Sequence, residues 1–350
     1  MPSTRRQLIV FTIGLLIGIG FMVLLTPPPG AGGGPYTVTT AGSTTVFSLS
    51  QVWATFFQSE FPAFIVNPST GGSGLGQSQV AQKLIDIGAT SSYPTHEYFD
   101  ANPRVKILPV SADALGIVAN PLVNGSTFRL DSDMAVAIFQ RNVTTWESFS
   151  TVFGVSVQQT GSINVYVRSD ASGTTATFAK WLETSDQNPN PNANYTWKLG
   201  HSETLSWVAG TSSVDGNPSV AAGVLSDENG IGYVGLAFMS DLTPVDLYNP
   251  TTGEYVNPSI TNALKALPDE LSDPGADLMN SDIPGAYPIA RLLYYMIHEE
   301  NIGWHVLVFL NWVLIKGQTY IAGVGYVPIN GTSAIEYSID TVASLNPTTE

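Results

Sequence analysis

Cysteine is absent from the 350-residue chain, and its absence excludes several kinds of chemistry. Without it there can be no disulfide, no thiolate nucleophile, no cysteine-ligated metal and no lipid-modified cysteine. Charged residues are also scarce, at 12%, and acids outnumber bases so that the formal net charge is −15. That charge argues against nucleic acid as a partner, because a phosphate backbone needs a basic surface.

Histidine is scarce as well, and the arrangement of the few histidines fits no catalytic pattern. The four are His96, His201, His298 and His305, whose spacing is not that of a metal site. The chain contains no Gly-x-Ser-x-Gly nucleophile motif. We therefore expect a protein that is not an enzyme and that needs no metal or cofactor.

A long hydrophobic run lies near the start of the chain, from Leu8 to Leu25. Its length can just span a bilayer, and the two arginines before it favour a cytoplasmic N-terminus. We expect residues 1–26 to be a membrane anchor, with a cleaved signal as the alternative. Residues 27–35 are rich in proline and glycine and are expected to link the anchor to a folded part at the cell surface or on the periplasmic side.

The most informative stretch is 168–178, which reads Arg-Ser-Asp-Ala-Ser-Gly-Thr-Thr-Ala-Thr-Phe. It follows a β-type run at 163–167 and leads into a helical pattern at 176–182. A helix that starts with small polar residues leaves amides and hydroxyls open to an anion, and an arginine adds charge. The alternative is an ordinary helix cap after an exposed arginine.

The same order of strand, small polar loop and helix recurs twice near the start of the folded part. The loop at 41–45 precedes a helical pattern at 46–57, and the loop at 69–76 precedes another at 77–84. In open α/β sheets such loops converge at the carboxyl ends of strands, where ligands bind. The glycine-rich loop lacks the Gly-Lys-Ser/Thr ending of a nucleoside-triphosphate site and the distant acid of a dinucleotide site.

Taken together, these motifs resemble those of the phosphate-binding subunit of the phosphate-specific ABC importer. The matching segments occur in the same order, at 41–47, 71–74, 85–90, 138–146, 168–175, 230–234, 286–289 and 325–328. The resemblance implies a two-lobed α/β clamp of the periplasmic-binding-protein type II fold, with mixed sheets and flanking helices. It also implies a discontinuous first lobe (36–114 and 286–350) and a second lobe at 115–285.

The resemblance implies ligand contacts from both lobes, carried over by motif position. They are Thr44, Thr45, Ser73 and Asp86 from the first lobe, and Arg168, Ser172, Gly173 and Thr174 from the second. Asp170 would orient Arg168, because residues two apart on an extended segment share a face. Thr45 is followed by Val-Phe where some relatives have Phe-Pro after the binding threonine, so Ser43 stays an alternative to Thr44 as hydroxyl donor.

Asp86 is expected to set specificity. Its carboxylate could accept a hydrogen bond from the P–OH of hydrogen phosphate, whereas sulfate at neutral pH carries no such proton. Facing sulfate, the acid would meet like charge and lose much affinity. The alternative is a structural Asx turn before Gly88.

These observations predict an extracytoplasmic receptor that binds inorganic phosphate and delivers it to the permease subunits of an ABC importer. The two lobes would close on the ion by a hinge motion. One alternative is a surface structural or sensory protein that has kept the clamp. Another is a receptor for arsenate, which carries the same proton and has nearly the same shape.

Overall fold

The computed structural model describes residues 35–123, 128–184, 195–271 and 273–347. The predicted anchor, most of the predicted linker and most of a polar segment at 186–196 lie outside the described residues. Within the described part of the chain, no single helix has the length and apolar character needed to cross a membrane. Only a pair of helices bent by 53°, at 304–315 and 317–324, meets that test together.

A mixed β-sheet is the framework of the described chain. Its strands are β1 (Tyr36–Gly42), β2 (Phe64–Thr70), β3 (Ile87–Thr90), β4 (Val105–Ala119), β6 (Asn164–Arg168), β7 (Thr211–Val214), β8 (Gly230–Gly235), β9 (Thr243–Pro244) and β12 (Ala290–His298). They are ordered β2-β1-β3-β12-β4-β8-β6-β7, with β9 also paired to β4. A small second sheet contains β5 (Arg129–Leu130), β10 (Asp246–Asn249) and β11 (Glu254–Val256).

The long strand β4 runs through both halves of the large sheet. Its first part, as far as Ala114, pairs antiparallel with β12, and its last part, from Leu115, pairs antiparallel with β8. The parallel pairs of β1 with β2 and β3 lie on one side, and the parallel pairs of β6 with β7 and β8 lie on the other. The large sheet therefore has two halves that meet along β4.

Helices follow most of the strands. They are α1 (Thr44–Glu60), α2 (Ser73–Ala81), α3 (His96–Ala101), α4 (Ser132–Phe139), α5 (Trp146–Phe153), α6 (Gly173–Leu182), α7 (Gly216–Ser226), α8 (Ile260–Leu264), α9 (Trp304–Ile315) and α10 (Ser333–Ala343). The helices predicted from apolar spacing at 46–57 and 176–182 are confirmed. The helix predicted at 77–84 begins and ends earlier, at Ser73–Ala81, because the small polar residues before it already belong to its first turn.

The packing of α1 fixes where its N-terminus lies. Val46, Leu49, Trp53 and Phe57 are each 0% exposed, and burying side chains of this size stabilises the fold by about 1.5–3 kcal/mol each. The Trp53 indole N–H also donates to the carbonyl of Gly317 at 3.0 Å. The helix is therefore held along its length against the sheet, with its first turn at the carboxyl end of β1.

The turn between β1 and α1 requires glycine. Gly42 has φ +139°, and a Cβ there would lie 2.1 Å from the carbonyl oxygen of Ala89. Because the chain passes this close to β3, the start of α1 and the end of β3 come together. The small residues of the loop are thus needed for the backbone approach that builds the site below.

Candidate functional site

The N-termini of three helices meet where β1, β2 and β6 end. Ser43 and Ser172 cap α1 and α6, accepting from the N–H groups of Val46 (3.5 Å) and Thr175 (3.1 Å). The two capping serines are both buried. Each cap accepts only one of the N–H groups that are free in the first turn of a helix.

Direct contacts join the N-terminus of α6 to those of α1 and α2. The Gly173 N–H donates to Ser73 Oγ at 3.3 Å, and the hydroxyls of Thr45 and Thr174 lie 3.3 Å apart. Ser91, just after β3, joins the group, since its N–H donates to Ser73 Oγ at 3.2 Å. The structure therefore brings hydroxyls and amides from both halves of the sheet to one buried point.

Arg168 adds a guanidinium to this cluster, at the end of β6. Its Nε donates to Asp170 Oδ1 at 2.7 Å, and its Nη2 donates to Asp170 Oδ2. Burial would raise the pKa of the Asp170 carboxyl, but hydrogen bonds and charge from Arg168 hold it below its usual value. Arg168 is 4% exposed, so the pair presents a fixed, desolvated cation to the cluster.

Tyr233, on β8, supports this arrangement from behind. Its hydroxyl lies 2.7 Å from Thr175 Oγ1 and accepts a hydrogen bond from the backbone N–H of Arg168 at 3.3 Å. Burial raises the pKa of Tyr233 to about 12, so the phenol stays neutral at neutral pH. The ring stacks on Phe178 of α6, with centroids 4.4 Å apart, which fixes the helix relative to the sheet.

The structure places Asp86 away from the cluster, and the expectation that it faces the ligand is corrected. Asp86 precedes β3, whereas the cluster lies beyond the other end of that strand. The five residue-to-residue steps from Asp86 to Ser91 span roughly 16 Å of extended chain. Asp86 Oδ2 accepts from both the N–H and the hydroxyl of Thr39, each at 2.7 Å, so its side chain ties β3 to β1.

A buried ion pair beside the cluster, between Arg291 on β12 and Asp113 on β4, was not predicted from the sequence. Arg291 Nη2 lies 2.8 Å from Asp113 Oδ2, 3.2 Å from Thr174 Oγ1 and 3.5 Å from Thr45 Oγ1. The signal that could have found it is a lone arginine inside an otherwise apolar strand. Such a residue almost never stays buried without a partner.

Asn217 is a second residue that the sequence reasoning missed. Its Nδ2 donates to Thr45 Oγ1 at 2.7 Å, and its Oδ1 accepts from Arg168 Nη1 at 3.4 Å. It lies in the first turn of α7, in the sequence Asp215-Gly-Asn-Pro218. Proline inside the first turn of a helix is typical, and this signal marks a fourth helix N-terminus at the site.

Two cavities border residues of the cluster. One of about 450 Å³ borders Arg291, Ser91 and Glu203, and one of about 380 Å³ borders Arg168 and Asp170. Burial raises the pKa of the Glu203 carboxyl, although hydrogen bonds from Ser92 (2.7 Å) and Gln77 (2.8 Å) oppose that shift. The cluster thus contains the donors that an oxyanion needs, next to two cavities.

Known proteins share this fold and sequence pattern. A family model described as PBP superfamily domain matches residues 28–316. The phosphate-binding protein PstS of Haemophilus influenzae is 25% identical over 307 residues, covering 84% of this chain and 89% of the relative. The PstS of Methanocaldococcus jannaschii is 27% identical, covering 90% and 91%.

Solved structures agree with these matches. An ABC-type phosphate transport receptor from Vibrio cholerae superposes with a TM-score of 0.57 at 17% identity, covering 83% of this chain and 99% of that one. A phosphate-binding protein from Stenotrophomonas maltophilia superposes with a TM-score of 0.64 at 14% identity, covering 87% and 93%. The predicted two-lobed α/β fold, and the resemblance on which it was based, are confirmed.

Proposed function

The chain belongs to the PBP superfamily, and we propose that it binds inorganic phosphate outside the cytoplasm and delivers it to the permease subunits of an ABC importer. The names of its relatives support this, since the two PstS relatives are called phosphate-binding proteins and the match covers 89% and 91% of their length. The observation that carries the proposal is the position of Arg168, held by Asp170, beside the N-terminus of α6. That combination is suited to a buried anion.

The donors around Arg168 suit a tetrahedral ion. A dehydrated dianion needs a donor for each of its oxygens, and the cluster offers hydroxyls and amides on several sides. The contributing residues would be Thr44, Thr45, Ser73, Ser172, Gly173 and Thr174, with Ser43 as a supporting cap. Each hydroxyl can turn its proton toward an anion oxygen, because hydroxyl rotors are free to reorient.

Binding would require the two halves to part and close again. Arg168 and Arg291 are 4% and 6% exposed, so the two cavities leave little of either guanidinium open to an ion until the halves separate. The hinge would lie in β4, where pairing changes between Ala114 and Leu115. Closure of this kind around a ligand is a common rearrangement of two-lobed proteins.

We propose further that residues 8–25 hold the receptor at the membrane, with a cytoplasmic N-terminus.

A reaction is not part of the proposed function. Among the described residues, the hydrogen-bonded cluster contains no histidine to act as a base, and His201 is exposed and bonded to Glu183 instead.

Calorimetric titration tests the proposed function. The protein is unfolded and refolded to remove any bound anion and is then titrated with phosphate. We expect one site with a Kd of about 1 µM or tighter, or about −8 kcal/mol. The absence of binding at millimolar phosphate would contradict the proposal.

Thr174→Val should weaken phosphate binding roughly tenfold or more, because it removes a hydroxyl bond to a charged ligand, worth about 1.5–3 kcal/mol, while keeping the side-chain shape. Thr151→Val is the matched control, since Thr151 is exposed on α5 and bonds only its own helix, at Glu147. Equal affinities of the two variants would show that Thr174 does not touch the ion.

Asp86→Ala should lower stability and leave phosphate affinity within about twofold. The substitution removes both acceptor contacts to Thr39 and leaves a strand N–H without its partner, at a cost of about 1–3 kcal/mol. Urea denaturation measures that loss, with the exposed Asp100→Ala as the control. A large loss of phosphate affinity in a folded Asp86→Ala protein would restore Asp86 as a ligand residue.

A further inference from the structure

We propose that Arg291 is a second guanidinium ligand in the phosphate site, and that the site binds tetrahedral dianions without reading a proton. The protein should then bind sulfate about as well as phosphate. This inference rests on the proposed function and names the ligand class of the same site.

The position of Arg291 makes it part of the binding cluster. Its Nη2 lies within 3.5 Å of the hydroxyls of both Thr45 and Thr174. Thr45 and Thr174 lie in the first turns of α1 and α6, so the guanidinium lies where the two halves of the sheet touch. Its Nη1 also donates to the carbonyl of Ser91 at 3.1 Å, which fixes its orientation toward the cluster.

A short chain of contacts connects Arg291 to the other arginine of the site. Arg168 contacts Asn217, Asn217 donates to Thr45, and Thr45 contacts Arg291. Two desolvated cations that are linked by so few contacts repel each other, and an anion that contacts both would relieve the repulsion. An oxyanion with two negative charges suits the pair better than one with a single charge.

The carboxylates at the cluster are already engaged. Asp113 Oδ2 accepts from Nε (3.3 Å) and Nη2 (2.8 Å) of Arg291, and its Oδ1 accepts the N–H of Leu236 at 3.1 Å. Asp170 is bound in the same way by Arg168 and by the N–H of Gly216. Each acid therefore holds a guanidinium in place.

Two other acids of the described chain that lie near β3, Glu203 and Asp86, already accept hydrogen bonds. Glu203 Oε1 accepts from Ser92 and Gln77, and Asp86 is bonded to Thr39. The residue that β3 does bring to the cluster is Ser91, whose hydroxyl lies 3.3 Å from that of Ser73. Within the described residues, the position at which the strand enters the cluster thus carries a hydroxyl rather than a carboxylate.

Within the described residues, the donors of the cluster do not discriminate against sulfate. Guanidinium and backbone N–H groups only donate, and a hydroxyl can donate to any anion oxygen. Rejection of an unprotonated oxyanion requires an acceptor that is left facing like charge. Without one, phosphate and sulfate present the site with the same shape and the same charge.

Titration of the refolded wild-type protein with phosphate and with sulfate is the primary test. We expect Kd values within about tenfold of each other. A preference for phosphate above about 1,000-fold overturns the inference and leaves the proposed function standing. If Glu203→Gln then lost that preference, Glu203 would be the residue that recognises the proton of phosphate. No binding of either anion overturns both the inference and the proposed function.

A charge-balanced double variant tests the role of Arg291. Arg291→Gln combined with Asp113→Asn removes the ion pair without leaving a buried unpaired charge. We expect both anions to bind roughly 10- to 100-fold more weakly, by similar factors. The ion pair of exposed Arg129 with partly exposed Asp246, 3.6 Å apart, supplies the control double variant. Unchanged affinity in a folded Arg291→Gln/Asp113→Asn protein would remove Arg291 from the site.

A further variant should make the site discriminate between phosphate and sulfate. Ser91→Asp places a carboxylate at the cluster, beside Ser73 and close to the N-terminus of α6. We expect sulfate to weaken at least about 100-fold relative to phosphate, whereas the uncharged Ser91→Asn should not change the ratio. An unchanged ratio in folded Ser91→Asp would contradict the account of how this site selects its ion.

Discussion

Replacement of Arg168 by glutamine is expected to abolish phosphate binding at micromolar concentrations. The substitution removes the charged donors that Arg168 offers, each worth about 1.5–3 kcal/mol to a charged partner, so affinity should fall roughly 10²- to 10⁴-fold. Asp170 would also be left unpaired and would repel the anion. Calorimetric titration of the folded variant measures the loss.

Two further variants separate these contributions. Arg168→Gln with Asp170→Asn removes the repulsion and should recover part of the loss, but not wild-type affinity. Arg104→Gln is the matched control, because Arg104 is exposed at the start of β4 and pairs with Glu299 on the surface. Wild-type affinity in folded Arg168→Gln would show that the ion does not bind at this cluster.

Substitution of Gly173 should prevent the closed arrangement without preventing folding. A Cβ at Gly173 would lie 2.7 Å from the amide nitrogen of Ser92 and 2.8 Å from Ser73 Oγ, which belong to the facing half of the site. Overpacking of this degree costs about 1–3 kcal/mol, so Gly173→Ala should bind phosphate roughly 10- to 100-fold more weakly. Gly173→Val should lose measurable binding.

Stability and shape distinguish this effect from misfolding. Alanine favours a helix over glycine, so Gly173→Ala should unfold no more easily than the wild type when phosphate is absent. Small-angle scattering should show contraction on phosphate addition for the wild type and not for Gly173→Val. Gly323→Ala is the control, since a Cβ there meets nothing within 4 Å; contraction of Gly173→Val on phosphate addition would contradict the proposed closure.

The parts of the site that were predictable from sequence are those that depend on neighbouring residues. The strand, polar loop and helix order at 168–178 was sufficient to place Arg168 and Asp170 at a helix N-terminus. The same holds for Ser43, because caps are set within a few residues, whereas α2 begins at Ser73, four residues before the pattern predicted at 77–84. The closeness of the loops after β1 and β2 follows from the parallel pairing of these strands.

The parts that were not predictable depend on contacts between distant residues. Arg291 meets Asp113 across 178 positions of sequence, and no local pattern ties an arginine in an apolar strand to a ligand site. Asp86 was misplaced for a different reason. Its motif identified the strand correctly, but Asp86 stands at the amino end of β3, whereas ligand-binding loops follow the carboxyl ends of strands.

The fold was predicted better than the detailed packing. Apolar spacing predicts α1 correctly but does not show whether Phe56 or Phe57 is the buried aromatic. Phe56 is 41% exposed and stacks on Tyr320, with ring centroids 4.0 Å apart, while Phe57 is fully buried. Either aromatic fits a helical period, so only the packing of α9 and the segment after it decides between them.

A crystal structure of the refolded protein with phosphate is the most direct test of the central claim. We expect one phosphate between Arg168 and the N-terminus of α6, with oxygens about 2.7–3.2 Å from the Arg168 guanidinium and the Gly173 amide. The other half of the site should contribute Thr45 and Ser73. Phosphate bound elsewhere, or a cluster that stays free of the ion at saturating phosphate, would contradict the account.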